Sequence, residues 1–495
     1  MKLKKLLERL DHTITGGSVE TDITAVVYDS RKVIPGSLFV CIVGARSDGH
    51  AYIPDVLAKG AAAVVIQEGS AVPEGTSFPE GTAVVRTANT RLALALISAA
   101  WFGYPAEQLP VIGITGTKGK TTTTYMVKSI LDNAGYRTGL IGTIETIIGE
   151  EHIASANTTP ESYLIHQYLR AMLDAGMNAA VMEVSSQALM LDRTAGIEFE
   201  IGVFTNISPD HIGPAEHKDF DDYLRCKALL FKQCRLGIFN ADDPHTADVI
   251  AGSTCKVETY GVTAADADIR AENIAHIHEP GYLGVRFDVT GRMNFPVELD
   301  IPGLFSVYNA LTAISICRHF KIGIPDITRA LKAARVKGRI EMVPVSDSFT
   351  LMIDYAHNAM ALDSLLTTLR DYHPKRLVCL FGCGGNRDRA RRFEMGEVSG
   401  RLADLTIVTS DNPRFEEPQA IVDDIKTGLA KTDGTYVEIL DRREAIAWAI
   451  HNGQPGDIIV LAGKGHEDYQ EIKGKKYPMD ERVIIKEILD ADALR

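Results

Sequence analysis

No stretch of this 495-residue sequence is both apolar enough and long enough to cross a bilayer. Met1 to Leu10 alternates charge with leucine and lacks the apolar core of a signal peptide. Cysteine is scarce and scattered, at 41, 226, 234, 255, 317, 379 and 383, with no C-x-x-C pair. That pattern excludes a disulfide framework or a cysteine zinc site and points to reduced thiols in the cytoplasm. Basic residues are outnumbered, 52 Lys and Arg against 65 Asp and Glu, for a net charge of −13. The balance argues against nucleic acid as a main partner but leaves room for local cationic clusters that bind an anionic substrate. Long-period repeats and low-complexity tracts are missing as well.

What is present is globular: 45% hydrophobic and 24% charged residues, enough for several cores. At about 150 residues per domain, three domains are expected. Composition changes place them at 1–108, 109–335 and 336–495. The first carries short strand candidates at Ala25 to Tyr28, Ser37 to Val43, Ala62 to Ile66 and Ala83 to Arg86, then a helix from Arg91 to Trp101. The second alternates strands (Ala179 to Val184, Ile201 to Asn206, Gly237 to Asn240) with helices such as Asp222 to Phe231. Period-two alternation from Ser253 to Pro302 suggests an antiparallel patch, and Leu304 to Phe320 a helix. The third offers strands at Leu351 to Asp354, Leu377 to Phe381, Leu405 to Thr409, Tyr436 to Leu440 and Ile458 to Leu461. Strands alternating with helices give an α/β class with a mostly parallel sheet covered on both faces.

The most telling segment is Gly116-Thr117-Lys118-Gly119-Lys120-Thr121. It follows the apolar run Val111 to Thr115 and opens a helical stretch, Thr122 to Ala134. Glycines admit backbone N–H groups to phosphate oxygens, and the helix N-terminus favours negative charge. Lys120 can reach the β/γ-phosphates and the Thr121 hydroxyl can ligate Mg²⁺. The loop is a short variant, because the first glycine of the eight-residue pattern falls at Ile114.

Other chemistry collects where apolar strands end, which is where open α/β sheets bind ligands. Glu183 closes Ala179 to Met182 and is suited to Mg²⁺. His211, in Asn206 to His211, can ligate a metal or position a phosphate. Asp354-Tyr355-Ala356-His357 ends another strand, with Arg339 just before it. Arg339 can clamp a phosphate, and Asp354 can meet a ribose or adenine edge. Gly382 to Asp388, Asp411-Asn412-Pro413-Arg414 and Gly463 to Glu467 follow three more strands. Arg387, Arg414 and Glu467 there can grip a zwitterion, the arginines on carboxylate and the glutamate on ammonium.

These motifs, in this order and over nearly the whole chain, resemble the Mur ligases of peptidoglycan synthesis, most closely those that extend a UDP-N-acetylmuramoyl-dipeptide. Further matching stretches are Tyr28-Asp29-Ser30-Arg31, Gly44 with Asp48-Gly49-His50, Asn157-Thr158-Thr159-Pro160, Glu183-Val184-Ser185-Ser186, Lys227, Tyr308-Asn309 and Gly338-Arg339. The resemblance implies a small α/β N-terminal domain for the uridine nucleotide, a central P-loop-type domain for ATP, and a Rossmann-like C-terminal domain for the incoming amino acid. It places Ser30 and Arg46 near UDP, and Asn157, Thr158, Thr159, Ser185 and Arg193 at the muramoyl-peptide. Gly116 to Thr122, Asn309, Arg339, Asp354 and His357 match nucleotide-contacting positions. Thr121, Glu183, His211 and an N-carboxylated Lys227 would serve two Mg²⁺ ions, with Lys120, Glu183, His211 and Lys227 as the catalytic set. Arg387, Asp411, Asn412, Arg414, Gly463 and Glu467 would hold the amino acid.

The Asp-Asn-Pro-Arg form is associated in the family with meso-diaminopimelate, and lysine-adding relatives differ at the arginine. The distal carboxylate of diaminopimelate can pair with arginines that lysine would leave unpaired. The implied reaction makes an acyl phosphate on the D-Glu γ-carboxylate and then an amide, in a cytoplasmic monomer. A related ligase with another acceptor, such as L-lysine, is the alternative; a nucleotide-gated binding protein would leave Glu183, His211 and Lys227 superfluous. The sequence departs from the family pattern at Lys118 (usually Asn), Leu191 (often Gln), Ile212-Gly213-Pro214, Asn358-Ala359-Met360 (commonly Thr-Pro-Asp) and Asn386 (often Asp).

Overall fold

The computed structural model describes residues 1–44, 47–210, 212–213, 216–279 and 282–493. Arg46 and His211 lie outside the described residues. The chain divides into two compact units: Met1–Asp268 with Thr312–Ile322, and Ile269–Leu311 with Gly323–Arg495.

Two sheets build the first unit. The N-terminal one runs in the order Thr13–Gly16, Ala83–Thr87, Ala63–Gln67, Ser37–Val40, Ala25–Val27, parallel except for the first edge strand. Leu38, Val40 and Val65 face one apolar cluster and Phe39, Val64 and Ile66 another, so both faces are covered. In the second sheet Val111–Thr115 lies between Ala179–Glu183 and Phe199–Phe204. Cys234–Asn240 and Lys256–Gly261 extend the Phe199 side, and Thr138–Ile141 extends the Ala179 side, all in parallel. These central strands are apolar runs buried almost throughout, as a sheet covered on both faces demands. Gly113, Gly202 and Gly237 stand side by side across three of them. A Cβ at Gly113 would come within 2.8 Å of the Phe199 ring, so the row clears space for aromatic packing against the sheet.

The expected helix after the phosphate loop begins two residues early, at Lys120, and ends at Asn133. Gly119, at φ +86°, turns the chain directly into it. An antiparallel hairpin, Glu145–Ile148 with Glu151–Ala154, was not anticipated, because its outer strand is mostly exposed and lacks apolar alternation. The stretch from Ser253 to Pro302 divides. Lys256–Gly261 joins in parallel, while Ile269–Glu279, Tyr282–Gly291 and Phe295–Leu299 form the expected antiparallel set. The helix from Leu304 stops at Cys317 and tightens into a 3₁₀ turn, Arg318–Phe320, before Lys321 at φ +56°.

In the second unit the sheet order is Glu341–Val343, Thr350–Asp354, Asp457–Ala462, Arg376–Phe381, Leu405–Val408, Tyr436–Glu438. Only the Glu341 edge is antiparallel. The carboxyl ends of its central strands therefore emerge together, and each opens into one of the polar turns singled out above. A separate hairpin, Tyr469–Ile472 with Lys475–Pro478, follows the last of these turns.

His166 is wholly buried on the helix Ser162–Asp174, and its Nε2 lies 3.4 Å from the Ala195 carbonyl. Burial lowers its pKa from 6.5 to about 4. Between those values the unfolded chain binds a proton that the folded one does not, so stability is full above about pH 6.5 and falls as the pH drops. The shift from 6.5 to about 4 corresponds to a loss of roughly 3 kcal/mol by pH 4. Denaturant titrations at pH 7, 5.5 and 4 should show His166→Leu removing most of this acid sensitivity; an unchanged pH slope would refute the assignment.

Candidate active site

In the phosphate loop the conformation is set by backbone contacts. Gly116 approaches strand Phe199–Phe204 so closely that a Cβ would lie 1.9 Å from Thr205 Oγ1. Thr117 N donates to the Asn206 carbonyl (2.9 Å) and Lys118 N to Asn206 Oδ1 (2.9 Å). The Lys118 carbonyl accepts from Thr205 Oγ1 and Asn206 Nδ2, while its side chain is exposed. Position 118 is thus fixed through its backbone, and the loop makes no demand on the identity of its side chain. Lys120 Nζ donates to the carbonyls of Gly116 (2.8 Å) and Thr117 (3.1 Å).

Glu183 ends its strand beneath this loop with no exposed surface. Its carboxylate accepts Thr121 Oγ1 on both oxygens (3.0 and 2.9 Å), Thr143 N (2.8 Å) and Thr143 Oγ1 (2.9 Å). All these donors are neutral. A buried carboxylate beside a threonine hydroxyl is a hard-oxygen set that suits Mg²⁺. Thr143, which the sequence did not single out, also bonds Thr158 Oγ1 at 3.1 Å. Thr159 Oγ1 donates to the Glu183 carbonyl and accepts from Ser185 N. Arg193 Nη1 donates to the Thr159 carbonyl (3.0 Å), and its Nε is buried without a hydrogen bond. The structure thus gathers Thr121, Thr158, Thr159, Glu183, Ser185 and Arg193. Asn157 is exposed, and the Ser30 carbonyl accepts from Lys59.

Lys227 is the surprise of this unit. It lies on Phe220–Ala228 with 1% exposure. Its ammonium sits 4.4 Å from the Tyr223 ring centroid and makes no hydrogen bond among the described residues. Burial, then the charge of Lys120, push its pKa well below the ordinary lysine range. A lysine biased toward its neutral amine is nucleophilic, and so able to take up CO₂ as a carbamate.

Arg339, Tyr355, His357 and His466 cluster in the second unit. Tyr355 has the Arg339 guanidinium 4.8 Å from its ring centroid and both imidazoles at 4.7 Å. Gly338 passes so near Gly465 that a Cβ would lie 2.1 Å from its carbonyl carbon. Arg339 Nε and His466 Nδ1 are buried without hydrogen bonds. Burial lowers the His466 pKa to about 4. Asp354, buried and with a raised pKa, accepts from Ile340 N and Ala356 N, so its role includes shaping this turn. Asn309 is buried on Leu304–Cys317.

The remaining turns interlock. Asn412 Oδ1 accepts from Lys464 Nζ (3.0 Å) and Glu471 N (2.9 Å), and its Nδ2 donates to Glu467 Oε2 (2.9 Å). Lys464, fully buried, also donates to Glu467 Oε2. Arg414, at φ +51°, is anchored by Nη1 to the Gly385 carbonyl (2.8 Å) and by Nε to Glu471 (3.1 Å). Arg387 is exposed, and Asp411 Oδ1 accepts from Asn412 N. Gly463 is buried, and its N donates to the Asp354 carbonyl. Beneath the turns, buried Arg442 donates to Glu481 (2.8 Å), the Ala462 carbonyl (2.9 Å) and the Ser410 carbonyl (3.3 Å). It pins two strand ends at once. No sequence signal marks this pair, whose members lie 39 residues apart.

Three family models match the chain: Mur ligase family, catalytic domain, at residues 22–102; Mur ligase middle domain at 114–317; and Mur ligase, glutamate ligase domain at 338–465. The chain belongs to the Mur ligase family. A Clostridium tetani protein named UDP-N-acetylmuramoyl-L-alanyl-D-glutamate–2,6-diaminopimelate ligase is 40% identical over 493 residues, 99% of each chain. A protein of that name from Caldanaerobacter subterraneus is 41% identical over 492 residues, again 99% of each. A solved structure with that ligase name is 28% identical, with TM-score 0.73, covering 100% of this chain and 99% of the other. A MurF ligase from Thermotoga maritima in complex with ADP shares the fold, at 18% identity and TM-score 0.57 over 95% and 96% of the chains. The phosphate loop and Glu183 of this Mur ligase fall in the match to the middle domain, and the interlocked turns in or beside the match to the glutamate ligase domain.

Replacing Arg442 by Met should leave Glu481 buried and unpaired, at a cost of about 3–5 kcal/mol. Urea unfolding checks this; a loss below about 1 kcal/mol would mean that the pair does not hold the turns.

Proposed function

We propose that this Mur ligase joins meso-diaminopimelate to UDP-N-acetylmuramoyl-L-alanyl-D-glutamate at the expense of ATP, as a cytoplasmic monomer. The observation that carries the reading is the turn at Asp411 to Arg414, whose Asn412 is held by Lys464 and Glu467 and whose Arg414 is held by Glu471. A fixed guanidinium and a carboxylate in one set of turns suit a zwitterionic amino acid. The names of relatives about 40% identical over the whole length support it.

Residues 1–108 would hold the uridine nucleotide, through Ser30 and Arg46. Residues 109–335 would hold ATP and the muramoyl-dipeptide, and residues 336–495 the amino acid. Thr121, Glu183 and Lys227, with His211, would hold two Mg²⁺ ions, Lys227 as its carbamate. Bound there, Mg²⁺ supplies charge neutralisation for phosphoryl transfer. The chain's own part is largely positioning and electrostatics. Lys120 stabilises the β/γ-phosphate oxygens, and the N–H groups at the start of its helix orient them. Arg193, with Thr158, Thr159 and Ser185, aligns the dipeptide so that the D-Glu γ-carboxylate attacks the γ-phosphorus and ADP leaves. Arg339, Tyr355 and His357 clasp the nucleotide, with Asn309 and Asp354 alongside. Arg387, Asn412 and Arg414 hold the distal end of diaminopimelate, and Glu467 its ammonium. The free amine then attacks the acyl carbon and phosphate departs.

Incubation with ATP, Mg²⁺, the UDP-muramoyl-dipeptide and either diaminopimelate or L-lysine tests the reading by phosphate release and product mass. Amide should form with diaminopimelate and far more slowly with lysine. ADP without amide would overturn the ligase, and equal rates would overturn the acceptor. Arg414→Ala should raise the diaminopimelate KM by about tenfold to hundredfold, the value of one or two charged hydrogen bonds; an unchanged KM would remove Arg414 from the site.

A further inference from the structure

His217 has no place in the chemistry above, yet it is 1% exposed and ties together the elements that carry it. Its Nε2 lies 2.9 Å from Ser186 Oγ, in the segment after Glu183. Its Nδ1 lies 3.2 Å from Asp222 Oδ2, on the helix of Lys227. Its ring packs on Tyr223 at 5.1 Å between centroids. Tyr223 in turn has its hydroxyl 3.0 Å from Thr117 Oγ1 in the phosphate loop and its ring under the Lys227 ammonium. Tyr223 and Lys227 are four residues apart, and so share a helix face.

These contacts fix the imidazole. A carboxylate only accepts, so Nδ1 carries a proton toward Asp222, while the Ser186 hydroxyl, which can donate or accept, meets Nε2. The order Ser186, His217, Asp222 has the form of a hydrolase relay, but Ser186 is itself buried at 5% exposure and offers no open nucleophile. Cys226 makes a third candidate metal ligand with His217 and Asp222, all within 4.8 Å. There the Arg225 guanidinium already supplies the cation, 2.5 Å from Asp222 Oδ1 and 3.6 Å from Cys226 Sγ.

We infer that His217 is a positioning residue of the ligase site, tying the Ser186 segment to the Lys227 helix so that Lys227 is held in register with Glu183 and the phosphate loop. The inference rests on the functional reading given above. A packing role alone would be met by any ring of similar size. A positioning role needs both nitrogens, since two separate elements are joined through them.

His217→Phe keeps the ring on Tyr223 and deletes both hydrogen bonds. Loss of such a supporting contact should lower kcat by about tenfold to hundredfold. The KM for diaminopimelate, held by the second unit, should stay within about twofold. The carbamate signal of Lys227 in ¹³C-bicarbonate NMR should fall in parallel. Ser186→Ala should reproduce the kcat loss, and the double variant should lose no more than about twofold beyond His217→Phe, because one link is cut either way. A His217→Phe enzyme with parental kcat, or losses that multiply in the double variant, would overturn the inference. Should His217→Phe fail to show a cooperative melt, Ser186→Ala and Asp222→Asn decide by the same split between kcat and KM. A parent enzyme that forms no amide overturns the ligase reading and this inference with it. An active parent beside an equally active His217→Phe overturns this inference alone.

Discussion

A carboxylate with no exposed surface organises the first unit. Moving an ion such as Glu183 out of water costs several kcal/mol even after the protein relaxes. The cost is tolerable only if the surrounding backbone delivers donors to every side. Here the donors come from Thr121 at the start of a helix and from Thr143 at the end of a neighbouring strand. Thr159 fixes the backbone at the same residue. One strand end therefore dictates the positions of three loops. Each of those loops is read above as touching nucleotide, metal or dipeptide. Stability and function make compatible demands, because a carboxylate set among threonine hydroxyls is also a hard-oxygen group suited to a divalent cation.

The second unit applies the same device with opposite charge. Lys464 and Arg442 are buried under the turns, with Glu467, Glu481 and backbone carbonyls as partners. In both units the strands are apolar along their length and ionic at their carboxyl ends. The apolar part supplies burial, and the ionic part fixes geometry where ligands are expected. A turn held only by packing would leave Asn412 free to rotate. Two donors on its Oδ1 and one acceptor for its Nδ2 leave a single orientation.

The strand ends and the glycine loop were readable in the sequence because their signals are local: an apolar run, then glycine and charge. The partners were not, because they are remote. Thr143 lies 40 residues from Glu183, Glu471 57 residues from Arg414, and Glu481 39 from Arg442. The burial of Lys227 has no local signal, since its helix is rich in charge and nothing nearby in the sequence shows which face is covered. Helix and strand bounds differ from the expected ones by up to three residues, as where Gly119 turns the chain into its helix and where the helix from Leu304 stops at Cys317. The glutamate expected to be open for an ammonium, Glu467, has one oxygen engaged by Lys464 and Asn412.

That engagement sharpens the question of acceptor choice. Arg414 already spends Nε on Glu471 and Nη1 on a carbonyl, so its orientation is fixed before any ligand arrives. An arginine held in this way loses little rotamer freedom on binding, and the affinity of a carboxylate for it is correspondingly greater. In the proposed reading the same anchoring would penalise the wrong amino acid. A side chain without the distal carboxylate would place its own ammonium near a guanidinium that is already tied down. On that reading discrimination would come as much from the rigidity imposed by Glu471 and Gly385 as from the arginine itself, so the motif Asp-Asn-Pro-Arg would describe only half of the selective element.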